Sequence, residues 1–72
     1  MVYFFDTFDG HHWTQDDTGF EANHVAAARK MAQDGLADMA RGRLPNRRFV
    51  DLAVRIRTGP STVGVVKMGH DA

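Results

Sequence analysis

One segment restricts the folds open to this chain more than any other: residues 23–41, where apolar side chains recur with the period of an α-helix. Val25, Ala28, Ala32, Leu36 and Met39 share one stripe, while Arg29, Lys30, Gln33, Asp34, Asp38 and Arg41 lie mostly off it. The expected helix spans 23–42. Asn23 is the expected N-cap, its side-chain oxygen accepting from a first-turn amide, and Gly42 is the residue expected to end the helix in a left-handed conformation, with Pro45 soon after. Alanines in the stripe imply close approach to whatever lies beneath, and a β-sheet is the flat partner such a helix needs. Gly35 costs the helix about 1 kcal/mol relative to alanine, so it reads as the mark of a close contact.

The 72 residues form one small domain. A chain of this size buries only ~60% of the surface that its unfolded form exposes, so self-association is an expected source of stability. Cysteine is absent, which excludes disulfides, thiolate metal sites and a cysteine nucleophile. The first residues reach a charge at Asp6, too soon for an export signal or a membrane span, and the expectation is a cytoplasmic protein with no membrane partner.

The formal net charge is zero, but its distribution is uneven. Asp6, Asp9, Asp16, Asp17 and Glu21 precede any base, whereas Arg41, Arg43, Arg47, Arg48, Arg55 and Arg57 come late. Adjacent strands neutralising one another would explain this. A basic strip from Arg41 to Arg57 meeting phosphate is the alternative, although nucleic-acid-binding domains usually show a basic excess.

Around the helix the period changes to that of strands. Residues 2–8 alternate Tyr3, Phe5 and Thr7 on one side with Val2, Phe4, Asp6 and Phe8 on the other, so both faces are largely apolar, as in a central strand. Asp9-Gly10 suits a two-residue hairpin turn into a short edge strand over 11–15, and residues 16–19 form an aspartate-glycine turn. Past a loop around Leu44-Pro45-Asn46, Val50, Leu52, Val54 and Ile56 form the buried face of a third strand. With Gly59-Pro60 as the turn, the fourth strand, 62–68, would set Ile56 against Val63 and Val54 against Val65 on the buried face, and Ala53 against Val66 on the other. Residues 69–72 are an expected tail. The resulting fold is α+β, ββαββ: a four-stranded antiparallel sheet in the order 2-1-3-4 with the helix on one face.

The pattern Tyr3-Phe4-Phe5-Asp6, Asp9-Gly10, the turn from Asp16 to Gly19, an alanine-spaced helix and an arginine-bearing strand leading into a valine-rich one resembles a group of short bacterial proteins classed as a domain of unknown function. The resemblance spans nearly the whole chain and implies a small bacterial cytoplasmic protein with no activity to carry over. Thr58 and Pro60 depart from the acidic turn usual in that group.

No catalytic, cofactor or metal site is expected. His11 and His12 are adjacent and would point to opposite faces of a strand, with His24 and His70 remote. Ser61, the single serine, lies in a turn without a nucleophile frame, and no glycine loop opens the helix. One helix leaves the far sheet face uncovered. Phe4, Phe8, Trp13, Ala53, Arg55, Arg57 and Val66 are the expected interaction surface, for a homodimer formed through that face or an edge strand, or for another protein. A nucleic acid stacking on the same aromatics, with Arg47, Arg48, Arg55 and Arg57 at the phosphates, is the alternative partner.

Overall fold

In a computed structural model, residues 1–43 and 52–68 are described. Strand β1 (Val2–Phe8) is followed by two short strands, β2 (Trp13–Thr14) and β3 (Phe20–Glu21), then helix α1 (Val25–Arg43), β4 (Leu52–Thr58) and β5 (Ser61–Met68). The sheet is antiparallel in the order β2-β1-β4-β5, with β3 paired to the other end of β1. This is the expected α+β architecture with five strands where four were expected. The loop at Leu44–Asn46, Arg47, Arg48, Val50 and the tail 69–72 lie outside the described residues. Among the described residues, no helix is long and apolar enough to cross a membrane.

The extra strand arises where the chain returns along β1. Phe8 faces Trp13 at one end and Tyr3 faces Phe20 at the other, so residues 15–19 bulge between two paired stretches. The first turn is longer than Asp9-Gly10 alone: β2 starts at Trp13, and the Asp9 carboxylate accepts from the amides of His11 and His12, both at 2.8 Å. The two histidines therefore sit in a loop stabilised by an aspartate side chain rather than in a strand.

The helix lies over β4 and β5. Ala28, Ala32 and Leu36 meet Leu52, Val54, Ile56, Val66 and Tyr3 in the core, and the small alanines let the helix backbone approach the sheet closely. Val25, the first helical residue, is exposed and takes no part. Asn23 does not cap the helix. His24 does, its Nδ1 accepting from the Ala27 amide at 3.2 Å, which starts the helix one residue later than an Asn23 cap would. At the other end, the helix runs through Gly42 to Arg43.

Gly35 has open space around it: a Cβ built there meets nothing within 4 Å. It is not a contact point, so its conformational cost is uncompensated. Gly35→Ala is expected to stabilise the protein by about 0.5–1 kcal/mol, raising the melting temperature by roughly 2–8 °C in circular dichroism. No change would mean that the helix is frayed there.

The Gly59 turn closes β4 on β5 as expected, with Thr58 opposite Ser61 and Arg57 opposite Thr62. Between Ile56 and Arg57 the register then slips, leaving Val63 as an extra residue and setting Ile56 opposite Gly64, Arg55 opposite Val65 and Val54 opposite Val66. Because strand side chains alternate, this one-residue bulge exchanges the faces of everything that follows.

Candidate interaction face

The sheet face away from the helix is built around a buried carboxylate. Asp6 sits mid-strand between Phe5 and Thr7, points away from the helix and has no solvent exposure. Antiparallel pairing sets it opposite Arg55 and diagonal to Arg57. Its Oδ2 accepts from Arg55 Nε at 2.9 Å and from Arg57 Nε at 2.7 Å, while Oδ1 accepts from Arg57 Nη2 at 3.0 Å and from the Asp16 amide at 2.9 Å. Burial would push this carboxyl up, but the Arg57 guanidinium, the Asp16 amide and Arg55 outweigh it and hold the pKa at about 2.

Arg57 is nearly saturated. Besides its two bonds to Asp6, it donates to the carbonyls of Gly59 at 2.8 Å and Asp16 at 3.1 Å. Its guanidinium carbon lies 5.0 Å from the centre of the Phe4 ring, and that of Arg55 lies 4.4 Å from Trp13. Trp13 also packs on Phe8, their centroids 5.1 Å apart.

The bulge at 15–19 covers one half of this face. Asp16 directs it: burial raises its carboxyl pKa, but the amides of Phe5, Thr18 and Gly19 together bring the value below the ordinary range. The Phe5 bond, at 3.0 Å, supplies a partner to a β1 amide where the bulge interrupts strand pairing. Gly19, at φ +81°, then sits against Val2 and Phe4. The Val2, Phe4 and Arg57 end of the face is therefore capped by the chain's own turn.

The other half stays open as a groove of about 490 Å³, lined by Phe8, Trp13, Ala53, Arg55, Val65 and Lys67, with Leu52 at its end. Ala53 makes the depression: a small, buried residue between the larger side chains of Phe8 and Trp13 on one side and Val65 on the other. Beyond the groove, β5 forms the sheet's outer edge, with Val63, Val65 and Met68 each at least 40% exposed.

The expected surface residues thus divide three ways. Phe8, Trp13, Ala53 and Arg55 meet in the groove, Phe4 and Arg57 lie under the turn, and Val66 is in the core opposite Val54, 7% exposed. The bulge at Val63 is the reason for the Val66 correction, and it brings Val65 to the open face instead. Arg41 is ion-paired to Asp38 on the helix, on the other side of the sheet from Arg55 and Arg57, so the basic strip is not continuous among the described residues. No group of three His, Cys, Asp or Glu that could hold a metal is found among the described residues.

No curated protein and no solved structure matches this chain. A family model does match, over residues 2–63, which takes in β1 to β4 and the first turn of the last hairpin but stops short of Val65 and Lys67. The chain belongs to the family described as Domain of unknown function (DUF6894).

Proposed function

We propose that this chain is a small, non-enzymatic protein-interaction module of the bacterial cytoplasm that pairs with a second copy through the outer edge of β5. The observation that carries this reading is the contrast between the two edges of the sheet. Along β1, the edge is occupied by two-residue strands and a bulge tied down by Asp16, a form that cannot template further pairing. β5 offers eight residues with no strand partner on its outer side among the described residues, and exposes Val63, Val65 and Met68.

A second β5 running antiparallel about a two-fold axis would satisfy those backbone groups and close the assembly at a dimer. The edge also carries restraints. Lys67 disfavours any register that sets it opposite itself, and the bulge at Val63 confines regular pairing to the residues after it. Both features select one finite pairing over open-ended association.

Sedimentation across a wide concentration range tests this. A dimer is expected, with Val65→Lys raising its dissociation constant at least tenfold, about 1.4 kcal/mol, and Phe8→Asp leaving it unchanged. The reverse pattern would move the interface to the sheet face, and a monomer at every concentration would remove self-association altogether. The nucleic-acid reading keeps Arg55 and gains Lys67, but Trp13 and Phe4 already carry guanidinium groups on their rings. Steeply salt-dependent binding of a single-stranded oligonucleotide would put that reading first.

A further inference from the structure

We infer that the groove over Ala53 is a binding site for an extended acidic peptide segment bearing one large apolar side chain. The groove is a separate surface from the β5 edge, although Val65 and Lys67 border both.

Three features of the groove converge on this ligand. Its interior is apolar: Ala53 lies at the bottom, with Phe8, Trp13 and Val65 as walls, and Trp13 is 45% exposed. That space suits an aliphatic or aromatic side chain. Secondly, both ionised groups lining it are cations, Arg55 and Lys67. Asp6, the carboxylate nearest to Arg55, is fully buried and already accepts from two arginines, so it neutralises neither completely. Lys67 has no ion-pair partner among the described residues, and the side chain of Arg55 remains about one third exposed.

Spacing is the third. Arg55 pairs with Val65, so Lys67, two residues along β5 on the same face, is its diagonal neighbour, roughly 7 Å away. Alternate residues of an extended peptide are separated by about 6.6 Å and point the same way. Ala53 pairs with Lys67 on one side and lies two residues before Arg55, whose guanidinium turns over the Trp13 ring, so the depression lies between the two charged heads: a large apolar side chain at i fills it, and carboxylates at i−2 and i+2 reach a cation on either side. A single-stranded nucleic acid fits less well, because Trp13 already carries the Arg55 guanidinium on its ring and two cations are few for a run of phosphates.

Trp13 is the chain's single tryptophan and reports on the groove directly. The probe is the blocked hexapeptide Ser-Asp-Ser-Leu-Ser-Asp, titrated while Trp13 emission is followed at low salt. A saturable change is expected. The half-saturation concentration should rise at least tenfold when both aspartates become asparagine, when leucine becomes serine, or when the protein carries Lys67→Glu, an exposed substitution that the fold tolerates. No saturable change, or a response indifferent to the aspartates, overturns the inference. So does tighter binding of an oligothymidylate than of the peptide. Sedimentation of the same samples keeps the two ideas apart: a stable dimer that ignores the peptide retains β5 pairing and removes the groove ligand, and a monomer that binds it does the reverse.

Discussion

Asp6→Asn is expected to cost about 3–5 kcal/mol, the range found when one partner of a buried ion pair is removed. At roughly 0.05–0.15 kcal/mol per residue, a 72-residue domain has only about 4–11 kcal/mol to lose, so this variant should forfeit roughly a third to all of its stability. Among the described residues, the carboxylate is the sole anion bonded to both Arg55 and Arg57, and the Arg57 side chain is only 15% exposed. Asparagine would leave two guanidinium groups facing each other and turn an amide donor towards them. Urea denaturation followed by circular dichroism measures the loss, and a cost under 1 kcal/mol would show that the cluster is not structural. A variant replacing all three groups, Asp6→Leu with Arg55→Leu and Arg57→Met, should recover most of the deficit, because the desolvation cost is removed with the charges.

The same carboxylate gives stability a dependence on acid. Its folded pKa is about 2 against an ordinary value of 3.8, so between those values the unfolded chain binds more protons than the folded one. The contribution of Asp6, roughly 2 kcal/mol, is therefore fully present above about pH 4 and is lost as pH falls through about 2. Asp16 is lowered too and adds a loss of the same sign.

Gly19→Ala is expected to cost about 2–4 kcal/mol, combining left-handed backbone strain with overpacking. Its φ is +81°, and a Cβ would stand 2.6 Å from Val2 Cγ1 and 3.1 Å from Phe4 Cε2. Gly59→Ala is the control, since φ there is +60° with nothing within 4 Å, and only the backbone cost of about 1–2 kcal/mol applies. Equal losses at the two positions would mean that the turn shifts off Phe4 without penalty, and that the capped half of the face is loosely held.

Much of this architecture was legible in the order of residues. The alanine stripe foretold a helix lying close on a sheet, and the alternation over 2–8 placed Phe4, Asp6 and Phe8 together on the far side. One feature was not legible at all, and a second only indirectly. A β-bulge leaves no mark in a valine-rich strand, since Val63, Val65 and Val66 suit either register, and the slip exchanged Val66 for Val65 at the surface. The role of Asp6 had a signal that went unused: an isolated acid in an apolar central strand needs a cation, and Arg55 and Arg57, two residues apart on a neighbouring strand, were placed to supply it. Arg57, expected at a phosphate, is committed instead to that carboxylate and to two backbone carbonyls, whereas Arg55 shares the carboxylate and stays about one third exposed.

The Asp6 cluster also sets the order in which the chain can assemble. Its partners Arg55 and Arg57 lie 49 and 51 residues downstream, and β1 and β4 are the two central strands. The β4–β5 hairpin needs only a short loop to close, and α1 forms from local contacts, whereas β1 must wait for a loop of about fifty residues. β1 is thus made well before its central partner and is the last of these strands to find its place. Until Arg57 has been synthesised, Val2–Phe8 carries four exposed aromatic rings and a carboxylate with no countercharge on the neighbouring strand, which makes this strand the segment most in need of protection.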